Sequence, residues 1–164
     1  MAFALNFDKH MRRALEESIP ELKWKPGWRP KGQPWRVDLA GLEGERPRVL
    51  VEAELKKDDS AANVIKVWRW ARDSKNAEPI LFVHGFSRWY WETKARIREA
   101  ARFAGERMAE DGLRIDYKQV PITYRSKTGR QVHYRPRGGR EGAGRLRQAA
   151  QGLAKAVARL AGPI

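Results

Sequence analysis

The sequence predicts a single-domain mixed α/β protein in which α-helices flank a mixed β-sheet. Three observations carry that expectation. The chain has 164 residues, 41% of them apolar, enough to bury one core without staples. Its apolar pattern changes period along the chain, from spacings of three and four to alternation and back. The resulting order is helix, two hairpin strands, helix, strand, helix, strand, which suits a sheet layered by helices.

The elements follow in turn. Asp8 is placed to cap a first helix in which Met11, Leu15 and Ile19 recur at spacing four, with Pro20 marking its end. LKWKPGWRPKGQPW then mixes Pro, Gly and Trp with lysine and arginine and reads as an extended loop. WRVDLAG and VLVEAEL flank LEGERPR, and a turn near Gly44 and Glu45 makes them an antiparallel hairpin with Asp38 across from Val51 and Glu52. Asp58, Asp59 and Ser60 are capping residues for a second helix with Ala61, Val64, Val67, Trp68 and Ala71 on its stripe; Trp70 is read as packing. EPILFVHGFS is a short apolar run between Pro79 and Gly85, as in a strand buried on both faces, with His84 a hydrogen-bonded structural residue. One long helix is expected from about Trp89 to Asp111, striped by Ile97, Ala101, Ala104 and Met108 and ended by Gly112. LRIDYKQVPITY reads as a last strand. Leu146, Ala150, Leu153, Val157 and Leu160 mark a C-terminal helix, which Gly152 weakens. Residues 1–124 form the core of this reading, and 125–164 a basic segment and helix of the same domain.

Charge and composition bound the function. Lys and Arg number 34 against 20 Asp and Glu, a net charge of +14 that implies a polyanionic partner, with nucleic acid the leading candidate. From Arg125 to Arg147, eight cations (Arg125, Lys127, Arg130, Arg135, Arg137, Arg140, Arg145 and Arg147) face Glu141 alone. The first six are assigned to the DNA backbone, with HYRPRGGR as the contacting segment. There is no cysteine, which excludes disulfides and thiolate metal sites, so a metal would take oxygen or imidazole ligands. No apolar run approaches the roughly 20 residues that span a bilayer, and MAFALNFDKH lacks a signal-peptide pattern. A soluble, cytoplasmic protein with no membrane partner is expected. No G-x-x-x-x-G-K-[ST] occurs, so NTP use has no support.

The chemistry centres on VLVEAELKK. At a side-chain period of two, Leu50, Glu52, Glu54 and Lys56 share one face, and Val49, Val51, Ala53 and Leu55 the other. Phosphodiester hydrolysis needs an activated water, stabilisation of a doubly charged phosphorane and neutralisation of a leaving alkoxide. One or two Mg²⁺ (or Mn²⁺) ions supply all three. Asp38, Glu52 and Glu54 offer such ions carboxylates from rigid strands, and Lys56 is placed to orient water or hold the phosphate. E-x-E-x-K also suits the solvated face of an edge hairpin with cross-strand ion pairs. The basic charge, the missing cysteine and the order of elements favour the metal site.

On these residues, Asp38 in the first hairpin strand and the E-x-E-x-K run Glu52 to Lys56 in the second, the chain resembles the PD-(D/E)xK nuclease superfamily of restriction endonuclease-like fold. The order of elements matches over roughly residues 7 to 120. The resemblance implies a metal-binding Asp, a second metal-binding acid and a lysine two residues further on. Val37 stands where that pattern has proline. Two registers are open. With Glu52 as second acid, Glu54 takes the lysine position, an E-x-E arrangement and the favoured one; with Glu54 as second acid, Lys56 is the lysine. An acid from the first helix often joins such sites, which points to Glu17, with Glu16 beside it. The function so implied is a metal-dependent DNA endonuclease, working as a homodimer if it cuts both strands. The alternatives are a DNA-binding module that keeps the fold without catalysis and a basic scaffold for RNA.

Overall fold

The computed structural model describes residues 2–55, 60–74, 78–136 and 140–162. Its elements are α1 (Ala2–Ser18), β1 (Lys23–Pro26), β2 (Leu39–Glu43), β3 (Arg46–Glu54), α2 (Ser60–Asp73), β4 (Ile80–Phe86), α3 (Arg88–Glu92), α4 (Ala95–Glu110), β5 (Ile115–Pro121), β6 (Thr123–Arg125), β7 (Gln131–His133) and α5 (Arg140–Ala161). Strands β1 to β5 form one mixed sheet in sequence order, antiparallel across β1–β2–β3 and parallel across β3–β4–β5. The molecule is thus a single mixed α/β domain.

The two faces of β3 build two cores. Val49, Val51 and Ala53 pack with Phe7, Met11 and Leu15 of α1 and with Leu146, Leu153 and Val157 of α5. Leu50 packs on the other side with Val64 and Val67 of α2 and with Ala101, Ala104 and Met108 of α4. The apolar stripes read from the sequence face these cores, except at Leu160, which is 39% exposed, and strand alternation sorts them onto opposite faces. Gly152 is required by this packing: a Cβ there would stand 2.6 Å from the Thr123 carbonyl oxygen, so glycine lets α5 lie against β6.

Four local readings are corrected. Asp8 is not a cap, because α1 starts six residues earlier at Ala2 and runs through helix-favouring residues. The loop after α1 contains an edge strand, Lys23–Pro26, whose Lys-Trp-Lys alternation buries only Trp24; Pro26 is tolerated at the end of an edge strand. The long helix is two. Ser87 donates to the Leu55 carbonyl (2.6 Å) and the Trp91 indole to the Phe86 carbonyl (3.2 Å), pinning α3 to the ends of β3 and β4. The chain must turn at Thr93 and Lys94 before α4 can lie along the sheet. The last strand divides at Pro121, and β6 pairs with β7 as a separate hairpin. Asp58 and Asp59 lie outside the described residues.

Candidate active site

The site is positioned by the ends of β2 and β3. Leu39 pairs with Val51, so Asp38, just ahead of β2, comes beside Glu52 near the C-terminal end of β3, as the hairpin reading expects. Its carboxylate is fixed there, accepting a hydrogen bond from the Ala53 main chain at 2.9 Å. β3 is the middle strand of five, so the acids do not lie on a solvated edge: Glu52 is 3% exposed and Glu54 2%. The edge-hairpin alternative is therefore set aside.

Glu52 finds its cation in α2. Lys66 Nζ stands 2.9 Å from Glu52 Oε1, off the axis of a hydrogen bond, so the contact is an ion pair. Lys66 donates to the Arg36 carbonyl (2.8 Å) and to Asn63 Oδ1 (2.6 Å). Burial raises the Glu52 carboxyl well above the ordinary carboxylate range, and the nearby Asp38 charge raises it further, while Lys66 opposes both. A buried acid beside another acid stays ionised only with a cation at hand.

Glu54 has a different environment. Its carboxylate accepts from Asn63 Nδ2, meets His84 Nε2 at 3.2 Å and accepts from the Tyr90 hydroxyl at 3.4 Å. His84 Nδ1 lies 3.0 Å from the Tyr117 hydroxyl, which accepts from Gln119 Nε2 at 3.0 Å. A continuous polar chain thus runs from Gln119 through Tyr117, His84, Glu54 and Asn63 to Lys66. Burial pushes the Tyr117 hydroxyl far up, so it stays a neutral partner to His84. Gly105 makes room for Tyr117, since a Cβ there would overlap its ring at 2.0 Å.

Of the residues expected at the site, Asp38 and Glu52 come together with Lys66, and Glu54 adjoins them through Asn63. Lys56 lies outside the described residues. Glu17 is at the far end of α1, paired with Arg13 at 3.1 Å in a depression shared with Arg147 and Gln151; the acid that α1 brings towards Asp38 is Asp8. Glu16 pairs with Arg12 at 3.5 Å. Arg125, Lys127, Arg130 and Arg135 are exposed on or beside the β6–β7 hairpin. The hairpin docks where the carboxylates are: Ile122 donates to the Phe86 carbonyl and Arg88 to the Tyr134 carbonyl, each at 2.8 Å, beyond the C-terminal end of β4. Arg140 begins α5, and Arg137 lies outside the described residues.

Lys66 is the residue that sequence reasoning missed. Its signal was the pair Asn63 and Lys66, three apart and bordering the apolar stripe of the helix that follows the acidic strand.

Among the described residues no three carboxylates or imidazoles converge as a closed metal centre. Mg²⁺ does not need one, since it takes one or two carboxylates and completes its shell with water and phosphate oxygens. Asp38 and Glu52 supply two carboxylates, and Glu52 Oε1, ion-paired with Lys66, accepts no hydrogen bond among the described residues. The pair fits a small hard cation. No protein-family model matches this chain, and no curated protein or solved structure matches it.

Proposed function

We propose that this protein is a metal-dependent DNA endonuclease of restriction endonuclease-like architecture, with Asp38 and Glu52 as metal-binding acids and Lys66 as the catalytic cation. The observation that carries the proposal is the Glu52–Lys66 pair: a buried carboxylate beside Asp38, with an ammonium at 2.9 Å, at the end of the sheet. Structural ion pairs rarely place a second acid against the first, because the repulsion adds to the desolvation cost. The net charge of +14 supports a polyanionic substrate.

Hydrolysis adds water across a P–O bond: the water oxygen bonds to phosphorus, the bond to one sugar oxygen breaks, and a proton passes to that oxygen. Mg²⁺ or Mn²⁺ held by Asp38 and Glu52 would supply Lewis acidity and a more acidic bound water. Ala53 N–H holds the Asp38 carboxylate in place. Asn63 and the Arg36 carbonyl aim the Lys66 ammonium, which would neutralise charge developing on the phosphate or orient the attacking water. Glu54, enclosed by His84, Asn63 and Tyr90, supports Asn63 and through it Lys66, in place of the metal role first expected of it.

A second reading, a DNA-binding module without catalysis, is favoured by one observation: Glu54 is already enclosed by its partners, leaving two carboxylates. Plasmid DNA incubated with Mg²⁺ separates the two. Nicking that EDTA stops and that Asp38→Asn and Glu52→Gln lower at least ~100-fold supports the enzyme. Binding without any cutting in Mg²⁺ or Mn²⁺ supports the module.

A further inference from the structure

Beside Asp38 a cavity of about 390 Å³ opens between α1 and the β1–β2 connection. Lys9 and Arg12 face it from α1 and Arg36 from the connection, against the two acids Asp8 and Asp38. Pro26 and the main chain of Gly27 complete its wall, and no aromatic ring lines it. Such a wall offers charge and main chain, with nothing on which a base could stack.

The cavity is fixed relative to the candidate site. Lys66 donates to the Arg36 carbonyl at 2.8 Å, Gly27 donates to the Asp38 carbonyl at 2.9 Å and Val37 to the Trp28 carbonyl at 3.0 Å. Asp38 itself is held by Ala53. Arg12 Nε is buried and makes no hydrogen bond among the described residues; its ion-pair partner Glu16 stands 3.5 Å away, a longer contact that a phosphate oxygen would compete with. The volume lies at the small end of ligand pockets, about 300–1,000 Å³, and suits a sugar-phosphate unit better than a base pair.

We infer that this cavity is a phosphate subsite for the polynucleotide strand, in which Lys9, Arg12 and Arg36 hold the phosphate next to the one presented to Asp38 and Glu52. The assignment rests on the nuclease reading above. It adds backbone contacts on α1 to those of the β6–β7 hairpin, which lies close by: the Phe7 ring of α1 stacks on Tyr134 at 6.3 Å. Contacts of this kind fix register and carry no base preference.

The test uses the whole protein and labelled duplex oligonucleotides in Ca²⁺, titrated at several salt concentrations. Lys9→Ala with Arg12→Ala should weaken binding and flatten the slope of log K against log salt by about one to two units. Lys155→Ala with Arg159→Ala removes the same charge from the exposed face of α5 and should leave the slope unchanged. An oligonucleotide with one methylphosphonate beside the cut should bind wild type more weakly and the Lys9/Arg12 variant no differently. A dependence on a 5′-phosphate in its place assigns the subsite to a strand end. If Arg12→Ala unfolds the protein, Lys9→Glu at its exposed position repeats the test. Wild type that cuts DNA while the Lys9/Arg12 variant keeps its slope, or matches the α5 control, overturns the subsite alone. Wild type that neither binds nor cuts DNA overturns the nuclease reading and the subsite with it.

Discussion

The Lys66 ammonium stands 2.9 Å from Glu52 Oε1, and its other two close oxygens belong to Asn63 and Arg36. Two N–H donors thus meet fixed oxygens, and the charge itself faces the third. Such a cation is oriented and only 19% exposed, unlike the surface lysines that make up most of the basic excess.

Lys66 should therefore outweigh Lys56 in any cleavage assay. Lys66→Ala is expected to lower the rate at least ~100-fold, since it removes the charge facing the acid pair. Lys56→Ala should cost only several-fold. The opposite ranking, in single-turnover cleavage at saturating DNA, would restore the regular E-x-K register. Lys66→Ala should also destabilise the metal-free protein by about 3–5 kcal/mol, because it leaves Glu52 buried and unpaired beside Asp38.

The acid pair makes stability depend on pH. The Glu52 carboxyl is raised in the folded protein, so between the ordinary carboxylate range and its raised value the folded state binds more protons than the unfolded chain. Metal-free wild type should lose stability as pH rises through that range, beginning near pH 4.5. Glu52→Gln cannot titrate and should lack this decline. Denaturant titrations in EDTA at several pH values from 4.5 upward measure it; parallel curves for the two proteins would show that Glu52 is not strained by its burial.

The close approach of α5 to β6 separates two glycines of one helix. Gly152→Ala would drive a Cβ to 2.6 Å from a main-chain oxygen and should cost about 1–3 kcal/mol. At Gly144 nothing among the described residues lies within 4 Å, so Gly144→Ala should stabilise by up to about 1 kcal/mol through helix propensity. Thermal melts of the two variants should move in opposite directions.

Much of this arrangement was legible because alternation and helical spacing are local. Leu50, Glu52 and Glu54 do share a face, and Val64, Val67 and Ala71 are the buried stripe of α2. What was hidden depends on tertiary contact. The pairing of Lys66 with Glu52 requires α2 to be laid across β3; the Asn63–Lys66 spacing marks a polar edge of α2 but does not name Glu52 as its partner. The break between α3 and α4 is imposed by contacts of Ser87 and Trp91 with β3 and β4, against a sequence that would carry a helix through. Glu17 failed to reach the acids for a simple reason of length: at 1.5 Å per residue, α1 carries it away from the end that holds Asp8.

The hairpin cations provide the last prediction. Arg125, Arg130 and Arg135 are exposed on or beside β6 and β7, a hairpin docked beyond the end of β4 and on the same end of the sheet as Glu52. None of the three has an acid within salt-bridge distance among the described residues, whereas Arg98, Arg102 and Arg107 of α4 are paired with Glu99, Glu106 and Glu110. The hairpin therefore has charge to give to phosphates, and α4 has little. Replacing Arg125, Arg130 and Arg135 with Ala should flatten the salt slope of DNA binding by about two to three units, at roughly 0.9 per contact. The same number of changes at Arg98, Arg102 and Arg107 should leave the slope nearly intact and act instead on the melting temperature. Fluorescence titrations in Ca²⁺ compare the two variants directly. An equal flattening in both would mean that DNA senses only the net charge, and that the hairpin has no special part in holding it.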